Sequence, residues 1–137
     1  MTADDVISAA RECLGTPFLH QGRLKGVGLD CAGLGVIVAQ SIGAKHRDLK
    51  AYGRDPYKGL LKETLDNQQG LKRVKRDSML PGDLLLLRFG RQPQHLAIYT
   101  GTTIIHAYET VGMVCEHSLD ERWLARIIGV YRFKVLS

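Results

Sequence analysis

Residues 26–38, Gly26-Val-Gly-Leu-Asp30-Cys31-Ala-Gly-Leu34-Gly-Val-Ile-Val38, contain a glycine-rich approach, a capping aspartate and a continuous apolar run. Asp30 is a good N-cap, so the pattern predicts a helix over residues 31–42. Because apolar residues occur on nearly every side of this helix, we expect it to be the central, buried helix of the chain.

Cys31 is the first residue of this predicted helix. The backbone N–H groups of a first helical turn carry partial positive charge, which favours the thiolate form of a cysteine placed there. Cys31 is therefore a candidate nucleophile. The alternative is a small buried side chain with a purely structural role.

A candidate β-hairpin lies further along the chain. Residues 95–100 and 103–108 have strand-like composition, and Gly101-Thr102 separates them. A glycine-containing loop of two residues between such runs predicts a hairpin in which Thr100 pairs with Thr103.

This register brings two histidines together. Ala97 would face His106, and His95 lies two residues from Ala97 on the same face. The α-carbons of His95 and His106 would then be about 7–8 Å apart, close enough for the imidazoles to meet. A loop of three residues would instead turn His106 to the other face.

The order of elements predicts the fold class. Helical patterns occupy residues 3–14, 31–42 and 59–69, and strand patterns follow at 84–89, 95–100, 103–108, 112–117 and 127–134. Helices followed by a run of strands are typical of an α+β fold. We expect one domain over residues 1–137, with an antiparallel, barrel-like sheet of five to six strands packed against the Cys31 helix.

The charge distribution favours an anionic partner. The formal net charge is +5, and the densest basic cluster consists of Lys72, Arg73, Lys75 and Arg76. Few aromatic residues accompany these side chains, which argues against stacking on nucleic-acid bases. We predict that this segment is a solvated connector, with contact to an anionic polymer as the alternative.

The cysteine pattern predicts free thiols. The three cysteines cannot all pair, and their spacing is not that of a zinc knuckle or a redox pair. Cys13 and Cys115 are predicted to be buried apolar residues. Cys115 and His117 share a strand face and could join Cys31, His95 and His106 as metal ligands, but a bound metal would quench a nucleophilic thiolate. We therefore expect no metal and no cofactor.

The chain shows no targeting or membrane segment. Residues 1–5 lack the basic region of a signal peptide, and apolar runs such as residues 84–87 are far too short to cross a bilayer. We expect a protein without a signal peptide or a membrane span, made in the cytoplasm.

Five blocks occur in a fixed order between Gly15 and Ala107, about two-thirds of the chain. They are Gly15-Thr-Pro-Phe18, Gly28-Leu-Asp30-Cys31-Ala-Gly-Leu34, Leu80-Pro-Gly-Asp83-Leu-Leu, His95-Leu-Ala-Ile-Tyr99-Thr-Gly101 and Ile105-His106-Ala107. Together they resemble the NlpC/P60 family of papain-like cell-wall cysteine peptidases.

The resemblance implies hydrolysis of peptide bonds in the peptidoglycan stem, typically the D-γ-glutamyl to diamino-acid link. By matching position, Cys31 is the nucleophile, His95 the general base and acid, and His106 the residue that orients His95. These roles agree with the chemistry of the side chains, since a thiol needs a base and the base needs an orienting partner. The backbone N–H of Cys31 is the natural oxyanion donor.

One block departs from the family pattern. Many relatives have an aromatic residue and a Gly-Gly pair where this chain has His20-Gln21-Gly22. In some relatives the polar end of that aromatic residue lines the oxyanion site, so His20 is a fourth candidate site residue. The segment and the absence of a visible signal or anchor resemble the phage and prophage tail-associated branch, which implies tail proteins as partners and action in the periplasm or on the cell wall.

Two other functions fit the same residues. An acyltransferase or amidase could use the same Cys-His chemistry, although no membrane-docking segment is evident. A non-catalytic wall-binding tail module is the second alternative. The presence of Cys31, His95 and His106 together argues against it, because a binding module would not need all three.

Overall fold

The computed structural model describes residues 1–48 and 60–136. The helices and strands of these ranges are, in chain order, α1 (Ala3–Arg11), β1 (Arg23–Leu24), β2 (Gly28–Leu29), α2 (Cys31–Ser41), α3 (Leu60–Asp66), β3 (Leu71–Val74), a 3₁₀ turn (Arg76–Ser78), β4 (Leu84–Phe89), β5 (Gln92–Tyr99), β6 (Thr103–Tyr108), β7 (Met113–Ser118), α4 (Glu121–Leu124) and β8 (Ile127–Phe133).

Six strands form one antiparallel sheet in the order β3-β8-β4-β5-β6-β7. Helix α2 packs against α1 and against β5 and β6. The predicted α+β architecture, with the Cys31 helix on an antiparallel sheet, is confirmed. Strands β1 and β2 form a separate small hairpin in the segment that leads to α2.

The ends of the predicted elements shift by a few residues. Helix α1 ends three residues earlier than predicted, and α3 covers the centre of the predicted helix 59–69, whose first residue lies outside the described ranges. Strand β5 begins at Gln92, before His95. The short helix α4 was not predicted, because four residues carry too little periodicity to be recognised.

The prediction of a solvated connector at the basic cluster is wrong in part. Lys72 and Arg73 belong to β3, an edge strand that pairs with β8. Arg76 lies in the 3₁₀ turn and donates hydrogen bonds to the carbonyl oxygens of Leu124 and Ile127, at 2.6 and 3.2 Å. Charged residues are usual on an edge strand because they discourage pairing with another sheet. They also leave this strand without the apolar alternation that would identify it in the sequence.

Helix α2 is fixed at its N-terminal end by a close backbone approach. A Cβ atom on Gly33 would collide with the carbonyl oxygen of Gly22, which belongs to the segment before β1. Glycine at this position therefore lets the segment lie directly on the first turn of the helix. A Cβ atom on Gly35, two residues later in α2, would have only the Cδ1 atom of Leu96 nearby, at 3.8 Å.

The two glycines give a matched pair of substitutions. We expect Gly33→Ala to destabilise the fold by about 2 kcal/mol or more, because backbone atoms must shift to relieve the collision. Gly35→Ala should stabilise it by up to about 1 kcal/mol, because alanine is the better helix former and the added methyl group makes an ordinary contact. Urea unfolding of both variants and of the wild type measures the change in the free energy of unfolding. Equal effects would show that the approach of Gly22 does not constrain the helix.

Candidate active site

Cys31 begins helix α2 and is almost fully buried, with 4% of its surface exposed. The carboxylate of Asp30 caps the helix by accepting a hydrogen bond from the N–H of Gly33 at 2.8 Å. As the first helical residue, Cys31 has a backbone N–H with no acceptor inside the helix. The helix start therefore offers both a thiol and an N–H donor at one residue.

Asp30 also ties the preceding segment to the helix. Its carboxylate accepts a hydrogen bond from the N–H of Gln21 at 2.8 Å and forms an ion pair with Arg23 at 2.9 Å. Arg23 pairs in addition with Asp48 at 2.7 Å. The role of Arg23 was not predicted, because an ion pair between a two-residue strand and a helix cap leaves no periodic signal in the sequence.

The predicted hairpin register is confirmed. Ile98 pairs with Ile105 and Tyr99 with Ile104, and the N–H of Thr100 donates to the carbonyl oxygen of Thr103 at 3.0 Å. Extended by one residue, this register places Ala97 opposite His106. The connecting loop therefore consists of two residues, as the sequence indicated.

The histidines are linked by hydrogen bonds between their rings. Nε2 of His95 lies 2.6 Å from Nδ1 of His106. Nε2 of His106 lies 2.7 Å from Nε2 of His117, a residue of β7, and Nδ1 of His117 lies 3.0 Å from the carbonyl oxygen of Ser118. His95 and His106 are buried, whereas His117 is partly exposed. The sequence placed His117 on a shared face with Cys115 but did not predict its contact with His106.

Aromatic rings surround the two buried histidines. Phe89 stacks on His95 with ring centroids 4.9 Å apart, and Tyr108 stacks on His106 at 5.1 Å. Trp123 of α4 packs edge-on against His106 at 5.0 Å. These rings exclude water from the imidazoles, which disfavours their charged forms.

Burial determines the protonation state of the thiol. Desolvation, reinforced by the negative charge of Asp30, raises the pKa of Cys31 to about 12. The backbone N–H groups of Leu96 and Ala32 and the charge of Arg23 act in the opposite direction but are weaker. Burial and Asp30 therefore oppose the thiolate form that the helix terminus and Arg23 favour.

The two buried histidines are also neutral. Burial, with contributions from His106 and Arg126, holds the pKa of His95 well below its usual value. Burial and the neighbouring His117 lower the pKa of His106 to about 3. The site therefore combines a neutral thiol with a neutral imidazole, which has a lone pair available to accept a proton.

Cys31 and His95 line the same cleft, which has a volume of about 260 Å³. Phe89, Tyr108 and Glu109 also line it. The sulfur of Cys31 lies 4.0 Å from the carbonyl oxygen of Gln94, the residue before His95. The cleft therefore gives a substrate access to a thiol and to an imidazole on neighbouring elements.

His20 lies in the turn before Gln21 and is partly exposed. Among the described residues, those that line the cleft do not include it. Its neighbour Gln21 is the residue whose N–H holds Asp30. A site role for His20 remains a prediction.

The other cysteines lie outside the cleft. Cys13 is buried, as predicted, and its thiol faces the carbonyl oxygen of Ala9 at 3.5 Å. Cys115 is partly exposed rather than buried, because β7 is the edge strand of the sheet. Within the described ranges all three cysteines are free thiols.

One group of described side chains has the composition of a metal site. The ligand atoms of His106, Cys115 and His117 lie within 4.8 Å of one another. The two imidazole nitrogens, however, are 2.7 Å apart, which is a hydrogen-bond distance. Nitrogens bound to one tetrahedral zinc ion would be about 3.3 Å apart. The observed geometry therefore fits a shared proton better than a shared metal.

A cysteine at the start of a buried helix and a histidine on the adjoining antiparallel sheet define a papain-like arrangement. The sequence model of the NlpC/P60 family matches residues 15–132. The chain belongs to this family. No curated protein matches it significantly.

Solved structures share the fold. An NlpC/P60 family protein from Bacillus cereus has a TM-score of 0.71 and 24% identity, and the match covers 97% of this chain and 40% of that protein. The NlpC/P60 domain of the peptidoglycan hydrolase SagA has a TM-score of 0.66 and 23% identity, covering 95% of this chain and 97% of that domain. The peptidoglycan hydrolase RipB from Mycobacterium tuberculosis has a TM-score of 0.63 and 22% identity, covering 98% of this chain and 65% of that one.

Among the helices that the structure describes, none combines the length and the apolar composition needed to cross a lipid bilayer.

The neutral histidines predict how stability depends on pH. The unfolded chain binds protons on His106 below its ordinary pKa of 6.5, whereas the folded chain does not bind them until about pH 3. Unfolding therefore takes up protons between these values, and stability should fall as the pH falls from 6.5. Well inside this pH window, each buried neutral histidine lowers the free energy of unfolding by about 1.4 kcal/mol for every unit by which the pH falls.

Urea unfolding across this window tests the expectation. His106→Asn should reduce the slope of stability against pH by about one proton. His46→Gln is the matched control for the loss of a histidine, because His46 is exposed and does not line the cleft. Identical slopes in the wild type and in His106→Asn would contradict the assignment of a buried neutral imidazole.

Proposed function

We propose that this chain is a cysteine endopeptidase that hydrolyses peptide bonds in the peptidoglycan stem. The observation that carries the proposal is the cleft shared by Cys31 and His95, with His95 hydrogen-bonded to His106. Membership of the NlpC/P60 family supports the substrate class, and two of the similar structures, SagA and RipB, are peptidoglycan hydrolases.

In the proposed acylation step, the sulfur of Cys31 attacks the carbonyl carbon of the scissile bond while His95 takes the thiol proton. The carbonyl oxygen becomes an oxyanion, which the backbone N–H of Cys31 stabilises. The protonated His95 then gives its proton to the leaving amine, and a thioester remains on Cys31. Water, activated by His95, hydrolyses the thioester and restores the thiol.

The neutral thiol and the neutral imidazole affect the timing of this step. Because burial raises the pKa of Cys31 and lowers that of His95, transfer of the proton alone would create two charges in an apolar site. Proton transfer is therefore expected to accompany attack on the carbonyl rather than to precede it. The hydrogen bond to His106 holds the imidazole in place during the transfer.

Two more specific proposals concern the bond that is cut and the place where the protein acts. We propose the D-γ-glutamyl to diamino-acid link as the bond that is cut, following the family resemblance. The net charge of +5 suits an anionic cell-wall polymer. The His20-Gln21-Gly22 segment supports a phage or prophage tail as the setting, with action in the periplasm or on the cell wall.

Digestion of purified peptidoglycan tests the proposal. Sacculi of two stem chemistries are treated with the wild type, with Cys31→Ala and with Cys115→Ala, and released fragments are identified by mass spectrometry. We expect the wild type and Cys115→Ala to generate the same new stem-peptide ends. Cys31→Ala should be slower by about three orders of magnitude or more, because the nucleophile is lost.

The new termini identify the bond. Cleavage by Cys31→Ala at the wild-type rate would refute the cysteine mechanism. No cleavage by any of the proteins, with all of them sedimenting with the sacculi, would refute the hydrolase and favour a wall-binding module.

A further inference from the structure

His117 lies outside the cleft, yet it is joined to the histidines of the site. It lies opposite Ile104 in the β6–β7 pairing, and Cys115 lies opposite His106. His117 is therefore diagonal to His106, in the same way that His95 is diagonal to His106 across the β5–β6 pairing. The three imidazoles form a continuous chain from the cleft to the partly exposed face of the edge strand β7.

The direction of each hydrogen bond between the three imidazoles follows from the contact of His117 with the carbonyl oxygen of Ser118. A neutral imidazole has one N–H donor and one lone-pair acceptor. The carbonyl oxygen of Ser118 can only accept, so Nδ1 of His117 carries the proton and donates to it. In the neutral form of His117, Nε2 is then the acceptor for His106.

The tautomers of the two buried rings follow in turn. Nε2 of His106 must donate to His117, so its Nδ1 has the lone pair. That Nδ1 accepts from Nε2 of His95, which therefore carries the proton of its ring. The lone pair of His95 is left on Nδ1, the nitrogen that takes no part in the chain.

We propose that His117 is a positioning residue, anchored by the carbonyl oxygen of Ser118, that sets the tautomers of His106 and His95 and so makes Nδ1 of His95 the atom that accepts the proton of Cys31. This inference rests on the proposed peptidase function for its catalytic consequence. The tautomers themselves are a property of the folded protein and are measurable without a substrate.

The surroundings of the two buried histidines, His95 and His106, keep them neutral. Trp123 packs against both His106 and His117, at 5.0 and 5.1 Å between ring centroids. The guanidinium of Arg126 lies over Trp123 at 4.5 Å. The thiol of Cys115, on β7, lies close to the imidazoles of His106 and His117. Burial raises the pKa of this thiol. The nearby cation disfavours a positive charge on the buried imidazole of His95.

Two substitutions at His117 separate positioning from packing. His117→Gln retains a carbonyl oxygen that can accept from His106 and an amide that can donate to Ser118. His117→Leu fills similar space but has no acceptor. Cys115→Ser is the control on the same strand face, because Cys115 takes no part in the chain of imidazoles.

The first measurement is the tautomeric state of the histidines, by long-range proton–nitrogen NMR correlation of ¹⁵N-labelled protein. In the wild type, in His117→Gln and in Cys115→Ser, we expect protonated Nε2 and unprotonated Nδ1 on His95. In His117→Leu, the opposite tautomer of His95 should become populated. An unchanged tautomer in His117→Leu would overturn the inference, whether or not the protein hydrolyses peptidoglycan.

The second measurement is the kinetics of stem-peptide hydrolysis. His117→Leu should lower kcat about tenfold with little change in KM, because His117 does not line the cleft and acts through the base. His117→Gln should restore kcat to within about threefold of the wild type. Equal losses in His117→Gln and His117→Leu, in step with lower melting temperatures, would show that His117 only packs.

Discussion

The hydrogen bond between His95 and His106 depends on a single feature of the backbone, the two-residue loop between β5 and β6. The side-chain period of a strand is two, so a shift of one residue would move His106 to the opposite face of the sheet. The observed register instead places Nε2 of His95 2.6 Å from Nδ1 of His106, which is a hydrogen-bond distance. The geometry of the base is therefore fixed by a turn outside the cleft, and the rest of the site is arranged around that base.

The pKa of the Cys31 thiol is the result of opposing influences. The N-terminus of α2 and Arg23 favour a thiolate, but desolvation and the carboxylate of Asp30 prevail and raise the pKa of Cys31 to about 12. Asp30 is required structurally, because it caps α2 and holds Gln21 and Arg23 against the helix. The arrangement that keeps the nucleophile rigid thus also keeps it protonated. The base must then be neutral, which the apolar surroundings of His95 ensure.

Patterns among residues close together in the sequence were sufficient to predict some of these structural features but not others. The cap at Asp30, the helix from Cys31 and the hairpin register all follow from residues close together in sequence. Strand β3 could not be predicted in this way, because its identity as a strand comes from pairing with β8 at the far end of the chain. The contact of His117 with His106 also depends on a third strand. A signal for it was nevertheless present, since His95, His106 and His117 are spaced eleven residues apart.

The protonation state of Cys31 decides how the nucleophile is activated, and thiolate absorbance in the ultraviolet measures it most directly. The difference between the wild type and Cys31→Ala, recorded from acid to alkaline pH, isolates the signal of this one residue. We predict no thiolate from Cys31 at neutral pH and its appearance only in strongly alkaline solution. A full thiolate signal already present at neutral or acid pH would contradict this prediction and would indicate a preformed thiolate–imidazolium pair.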